Sequence, residues 1–234
     1  LAGSPVVAHC HHFNLFWDQT MDDALGEEAG RRVRTLAAHK ASYRFLRGLV
    51  DEIGASSPVE RLRLAAAVFA AMGHGKLHLA VGRSGGLVRG EQLHYGFGWR
   101  EKYGSSMSRS APADAFATGF SAAATEVAYG LDPGSRRGYE ERCIVDGSAG
   151  CNIRVTSDPG EPLLPLGVDP QSARDVLPPV DPIGEGLYED QVAPIVSGLR
   201  EFLSGVAGDD RGVIEAFGVL VTSHLADYYN HAAA

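Results

Sequence analysis

Seven of the twelve prolines fall between residues 157 and 186: Pro159, Pro162, Pro165, Pro170, Pro178, Pro179 and Pro182. Proline fixes φ and has no backbone donor, so a stretch this rich in it joins neither a helix interior nor a central strand. The 234-residue chain therefore divides into an α+β part over 1–156 that opens on a His/Cys-rich segment, a linker or wrapping loop over 157–186, and a helical segment over 187–234.

Within the first part, apolar residues from Asn14 to Val50 recur at helical spacings, with Asp22, Asp23, Glu27 and Glu28 early and Arg31, Arg32 and Arg34 late. Gly26 and Gly30 divide this run into two helices. Ser57-Pro58-Val59-Glu60 is a capping box with proline in the first turn, and it predicts a helix to about Met72, ended by Gly73. Lys76 to Val81, a turn at Gly85-Gly86 and the alternating run Leu87 to Phe97 predict a hairpin. Ala113 to Tyr129 is small and apolar enough for a buried helix. Arg137 to Val145 and Cys151 to Thr156 predict two short strands around Asp146-Gly147, and beyond the linker 188–206 and 209–229 predict two helices. The class is α+β: N-terminal helices packed on an antiparallel sheet of hairpins, with additional C-terminal helices.

A net charge of −8, from 29 acids and 21 bases, argues against a nucleic-acid partner, which would require a basic face. No apolar run approaches the roughly 20 residues of a membrane span. Three cysteines, Cys10, Cys143 and Cys151, are too few and too odd in number for a stapled secreted fold, which points to a reducing cytoplasm. A start at Leu1 and an end at His231 followed by three alanines read as trimmed termini. Phosphate loop, dinucleotide fingerprint and nucleophile elbow are all absent from the sequence, so nucleotide-dependent chemistry and acyl hydrolysis gain no support.

The run from Glu140 to Val155 places Cys143 and Cys151 on neighbouring strands of a predicted hairpin, where two thiols can meet one tetrahedral metal. The same pair also reads as two half-buried apolar thiols on facing strands. Together with Gly73-His74-Gly75-Lys76-Leu77 and Gly119-Phe120, the pattern Glu140-x-x-Cys143-x-x-x-Gly147-x-x-x-Cys151-x-Ile153 resembles the 4-vinyl reductase domain, also called the hydrocarbon-binding domain, over residues 15 to 156. The resemblance implies an α+β fold, a homodimer and a pocket for a small hydrophobic or aromatic molecule. Domains of this kind occur beside bacteriochlorophyll biosynthesis and as the ligand-sensing domains of phenol-responsive activators. In the phenol-sensing members a zinc ion is held by a glutamate, two cysteines of this motif and a third cysteine upstream. Carried over, these are Glu140, Cys143 and Cys151, with Asp114 at the position of the third cysteine. A carboxylate there can ligate zinc but is a harder donor than sulfur. Asp114 equally reads as a helix N-terminal residue favoured by the dipole.

A second constellation is Ala8-His9-Cys10-His11-His12-Phe13-Asn14. It offers three imidazoles and a thiol, of which only a subset such as His9 with His12, or Cys10 with His11 or His12, can share an ion, because adjacent residues point in different directions. It also reads as a set of pocket-lining hydrogen-bonding groups. On the predicted last helix, His224, Asp227 and His231 share a face, but i and i+7 lie about 10 Å apart along a helix. His224, with Asp227 or Tyr228, therefore joins the N-terminal cluster across the fold, or lies on a solvated face. His78 and His94 on paired strands, with Tyr95, Phe97 and Trp99, are candidates to line an aromatic pocket. Core packing accounts for the aromatics as well.

The sequence thus points to a metal-containing, small-molecule-binding protein, with zinc or another transition metal such as iron as cofactor. The alternative is a metal-dependent enzyme, non-heme iron or zinc, that uses the N-terminal His/Cys cluster. A third reading is a scaffolding subunit with an acidic helical surface.

Overall fold

A computed structural model describes residues 4–104, 109, 111–158, 193, 194, 197, 208–216 and 218–233. The Pro-rich stretch after 158 and the helix expected over 188–206, apart from helical residues 193, 194 and 197, lie outside these residues. Residues 1–163 with 208–233 form one compact unit and 164–207 a second. All strands and helices named below belong to the first.

Strand β1 (Val6–Cys10) leads into α1 (His11–Leu25), α2 (Glu27–Ile53) and α3 (Pro58–Ala71). Gly26, at φ 84°, makes the only break in the first helical run. Gly30 stays helical because its missing Cβ leaves room for the Asp22 carboxylate, which binds the buried Arg34 beside it. The capping box of α3 forms as expected: Glu60 N donates to Ser57 Oγ, and Glu60 Oε2 accepts from Ser57 N at 2.9 Å. Three hydrogen-bond donors on Ser56 and Ser57 hold the Glu60 carboxyl down to about 2.

The hairpin β2 (Lys76–Gly82) and β3 (Gly85–Glu91) turns at Arg83-Ser84, two residues earlier than expected. Gly85 and Gly86 lie within β3 instead, where their positive φ brings the backbone against Val155 and Ala80. Beyond Glu91 the expected strand is replaced by helix α4 (His94–Tyr103). The alternation of residues 94–99 is only apparent: Tyr95 and Trp99, four apart, are buried on one helix face, and Gly96 and Gly98 admit close neighbours. The buried helix α5 (Ala115–Tyr129) packs along α2, with Gly119 against the Thr35 carbonyl and Ala38. Strands β4 (Arg137–Arg142) and β5 (Cys151–Thr156) follow, separated by a 3-10 turn at Ile144–Asp146 and by Gly147 in the left-handed region.

The expected helix over 209–229 is instead strand β6 (Ile214–Ala216), strand β7 (Val219–Leu225) and a short helix α6 (Ala226–Ala233). Val219, Val221 and Thr222 are β-branched and suit a strand, in which Thr222 and His224 are buried on one side, and Gly218, at φ 73°, turns the chain into it. Two antiparallel sheets result, in the orders β2-β3-β5-β4 and β1-β7-β6. The architecture is α+β, with helices packed on antiparallel sheets and a C-terminal helix. No described helix is long and apolar enough to cross a membrane.

Candidate functional site

Asp114 stands at the start of α5 but does not cap that helix with its own side chain. Its carboxylate reaches across to α4, where Oδ1 accepts from Tyr95 N at 3.3 Å and Oδ2 from Gly96 N at 3.0 Å. These are donors that a helix N-terminus leaves without partners, and the helix dipole favours an anion there. Glu140, on β4, does for α5 what Asp114 does for α4: its Oε2 accepts from Asp114 N at 2.8 Å. Cys143 follows β4 and Cys151 opens β5, and their sulfurs lie 3.6 Å apart. Cys151 Sγ is also 3.6 Å from Asp114 Oδ2.

The four side chains offer donor atoms within 4.8 Å of one another, and all four residues are buried. Gly96 leaves the space they use, since a Cβ there would stand 2.8 Å from Asp114 Oδ2 and 3.1 Å from Cys143 Sγ. Glu140 Oε1 is buried without a hydrogen-bond partner. Burial, then the nearby Cys143, drives the Asp114 carboxyl well above its usual range, and burial, then Asp114, does the same for Glu140. The Cys151 thiol donates to Cys143, which brings the Cys143 thiol down to about 6 and pushes its own up.

This donor set fits a zinc-sized cation. A tetrahedral ion with sulfur bonds of about 2.3 Å sets two sulfurs roughly 3.8 Å apart, close to the spacing of Cys143 and Cys151. Two thiolates and two carboxylates would share the ion, and the orphan Glu140 oxygen would gain a partner. Without a cation, Asp114, Glu140 and Cys151 must keep their protons to remain buried beside Cys143.

A second buried assembly lies on the other side of Tyr95. The turn Gly73-His74-Gly75 follows α3, and a Cβ at Gly73 would stand 2.5 Å from the Val221 carbonyl of β7. This close approach lets His74 Nε2 reach the Ser223 carbonyl at 3.0 Å. The His74 ring stacks on Phe116 at 4.4 Å and meets His224 edge-on at 4.5 Å. Tyr95 Oη is 3.2 Å from His224 Nε2. Asn14 Nδ2 donates to His94 Nε2 at 3.0 Å and to Thr222 Oγ1 at 2.9 Å, while its Oδ1 accepts from the Tyr229 hydroxyl at 2.9 Å. His224 Nδ1 is buried with no partner, and the Tyr228 hydroxyl lies against that of Tyr95.

Burial holds all three imidazoles in the neutral form. His74 is lowered to about 3, and His94 and His224 fall well below the usual range, burial being the main cause and neighbouring histidines the next. The Tyr95 and Tyr228 hydroxyls are pushed up by the same burial. The assembly is thus an uncharged, closely packed cluster of aromatic faces with a few buried polar atoms among them, a chamber filled by its own side chains.

The structure brings Asp114, Glu140, Cys143 and Cys151 together in one cluster, and His94, Tyr95 and His224 in the other. His224 reaches the chamber from a strand, so the helical face shared with Asp227 and His231 does not exist. His9 stacks on Phe13 at 4.1 Å and borders the chamber through Tyr229, 5.1 Å away. Cys10 is half-buried at the end of β1, and His12 is exposed with its ring against His11. His9, Cys10 and His12 form no common donor cluster among the described residues. His78 projects to solvent from β2 and pairs with Arg89, while His94 lies on α4, so the two histidines do not sit on paired strands. Phe97 is half-buried beside Arg100, and Trp99 lies in the core with Arg109 over its ring.

The sequence assigns no role to His74, Asn14, Phe116 or Tyr229, and pairs Tyr228 with His224 only as one of two options. One signal was available, the likeness of His11-His12-Phe13-Asn14 to Asp227-Tyr228-Tyr229-Asn230. It marks two strand-to-helix units, β1–α1 and β7–α6, whose strands pair antiparallel about Ala8 and Ser223.

Neither a family model nor a curated protein matches this sequence. Among solved structures, one that is similar is the crystal structure of the phenol-responsive sensory domain of the transcription activator PoxR with phenol. It is 15% identical, with a TM-score of 0.49, over 63% of this chain and 74% of that one.

Proposed function

We propose that this protein binds a small aromatic or otherwise hydrophobic molecule in the chamber around His94, Tyr95 and His224, with a zinc ion held by Asp114, Glu140, Cys143 and Cys151 as a structural clasp. This is the function implied by the resemblance of residues 15 to 156 to the 4-vinyl reductase, or hydrocarbon-binding, domain. The observation that carries it is the convergence of four buried donor groups within 4.8 Å at the N-terminus of α4, the helix that also supplies His94 and Tyr95 to the chamber. An ion there would hold β4, β5 and the first turn of α4 together, and with them the polar wall of the chamber. The partnerless His224 Nδ1 would find a hydrogen-bonding group on the ligand, such as a phenolic hydroxyl. A second copy of the chain, meeting it along the β1 edge where Val6, Val7, Phe13 and Phe16 are exposed, completes the reading.

Elemental analysis of the purified full chain, beside calorimetric titration with phenol, tests this. About one zinc per chain and saturable phenol binding are expected, with zinc lost in Cys151→Ser and phenol binding lost in His224→Phe. Absence of zinc in wild type, or full zinc retention in Cys151→Ser, would remove the clasp. Undiminished phenol affinity in His224→Phe would remove the chamber.

The second reading, an enzyme on the same scaffold that uses the N-terminal His/Cys cluster with His224, draws on the buried His224 Nδ1, which has no partner. It predicts a metal that persists in a Cys143→Ser/Cys151→Ser variant and disappears in His9→Ala or His12→Ala.

A further inference from the structure

The chain carries a net charge of −8, yet one cavity collects arginines. It lies between α2 and the start of β4, over the α2–α5 contact, and encloses about 180 Å3. Arg31 and Arg32 come from α2, and Arg136 and Arg137 from the entry into β4. Against these four guanidinium groups the lining supplies one carboxylate, Glu28. Beneath them the buried Glu126 is already committed, its Oε2 to His39 Nε2 at 2.7 Å and its Oε1 to Arg136 N at 2.8 Å.

Arg136 and Arg137 are held in place by neutral groups, not by carboxylates. Arg136 donates through Nε and Nη2 to the Arg83 carbonyl and through Nη1 to the Ser135 carbonyl, which fixes its plane and leaves its charge uncompensated. Arg137 lies over the Tyr139 ring at 5.1 Å. Arg31 Nε is buried with no hydrogen-bond partner. None of the ion pairs among the described residues involves Arg31, Arg136 or Arg137. Gathering like charges at a half-buried site costs free energy unless an anion joins them, and the planar guanidinium fork suits phosphate and carboxylate oxygens.

We propose that this cavity is a binding site for a small multiply charged anion bearing phosphate or clustered carboxylate groups, separate from both the metal cluster and the aromatic chamber. The volume admits two phosphoryl groups or a compact tricarboxylate and excludes a polymer. Arg31 and Arg137 supply the principal contacts from opposite walls, Tyr139 backs Arg137, and Glu28 sets an upper limit on affinity.

Calorimetric titration of the full chain with inorganic pyrophosphate, and separately with citrate, tests the proposal. One saturable site is expected, for one or both probes, with affinity falling at least tenfold in an Arg31→Ala/Arg137→Ala variant and rising a few-fold in Glu28→Gln. Preference for one probe identifies phosphate or carboxylate as the natural group. Both altered arginines are only part-buried, so thermal unfolding of the double variant is expected near that of wild type. If it unfolds early, Arg137→Gln alone replaces it and is expected to weaken binding at least threefold. Absence of saturable binding for both probes, or affinity unchanged by the arginine substitutions and by Glu28→Gln, overturns the proposal. Because neither probe enters the aromatic chamber, failure here leaves the phenol and zinc results untouched.

Discussion

Tyr95 and Asp114 connect the two buried sites: the Tyr95 backbone donates to Asp114 Oδ1 at 3.3 Å, while the Tyr95 hydroxyl lies 3.2 Å from His224 Nε2. One residue thus faces the candidate metal cluster with its main chain and the aromatic chamber with its side chain. The first turn of α4 can transmit a change at the cluster to the chamber with no further element involved.

This arrangement predicts that Asp114→Ala acts on both sites. Tyr95 N and Gly96 N lose their acceptor, at a cost of about 1–3 kcal/mol for buried donors left unpaired. Hydrogen exchange at these two amides is expected to accelerate at least tenfold, and both zinc content and phenol affinity are expected to fall. Unchanged exchange at Tyr95 and Gly96 would show that Asp114 does not hold α4.

Two glycines of α4 give a matched pair. A Cβ at Gly96 would meet Asp114 Oδ2 at 2.8 Å and Cys143 Sγ at 3.1 Å, whereas one at Gly98 has its nearest neighbour, His11 Cβ, at 3.4 Å. Gly96→Ala is therefore expected to lower thermal stability and weaken zinc binding at least tenfold. Gly98→Ala is expected to be neutral or to stabilise by up to about 1 kcal/mol through helix propensity. Equal behaviour of the two variants in metal-exchange and melting experiments would contradict the packing described around the cluster.

The parts of this structure that were legible in the sequence are those whose signals are local. The Ser57–Glu60 capping box names its own helix, and the Glu140–Cys151 spacing brings two thiols together across a short turn. Residues 94–99 were misread because glycines at every second position imitate strand alternation, while the contacts that decide for helix, Tyr95 N to Asp114 and Gly96 against Cys143, come from distant segments. Strands β6 and β7 read as helix in the sequence because an apolar run followed by polar aromatics satisfies helical spacing as well as a strand and a short helix, while residues 226–229 are helical as expected. The chamber escaped notice for a related reason. His74 looks like a turn residue until β7 is laid over Gly73, and Asn14 acquires its role only when Thr222 and Tyr229 arrive from more than two hundred residues away.

Acid should destabilise the protein in part through His74. Its ordinary value is 6.5 and burial lowers it to about 3 in the fold, so between these values the unfolded chain binds a proton that the native state refuses. Stability from this residue is present above pH 6.5 and is lost as pH falls through that window, at about 1.4 kcal/mol per pH unit. His94 and His224 act in the same sense. Asp18, raised from 3.8 to about 7 by burial, acts in the opposite sense, because the native state retains a proton that the unfolded chain releases. A His74→Gln comparison isolates one contribution: the stability difference between wild type and variant, from urea unfolding at several pH values, is expected to narrow steadily below pH 6.5. A difference independent of pH between 6.5 and 4 would show that His74 is protonated in the native state.

The α1–α2 hairpin rests on Arg34, a guanidinium with no solvent exposure. Its Nη1 donates to Asp22 Oδ1 at 2.7 Å and to the Asp18 carbonyl at 2.9 Å, and its Nε lies 3.4 Å from Asp18 Oδ2. Arg109 takes the other Asp22 oxygen at 2.7 Å. Truncating one member of such a buried network leaves the others uncompensated, so Arg34→Ala is expected to cost about 3–5 kcal/mol, a large part of a domain's total stability. Replacing the charges together removes the uncompensated partner as well as the bond. Arg34→Met combined with Asp18→Asn and Asp22→Asn should therefore recover much of that loss, with Arg109 free to turn toward solvent or the Trp99 ring. Urea unfolding with unchanged slope is the measurement. A loss below about 1 kcal/mol in Arg34→Ala would mean that water enters the network and that the hairpin is held by apolar packing alone.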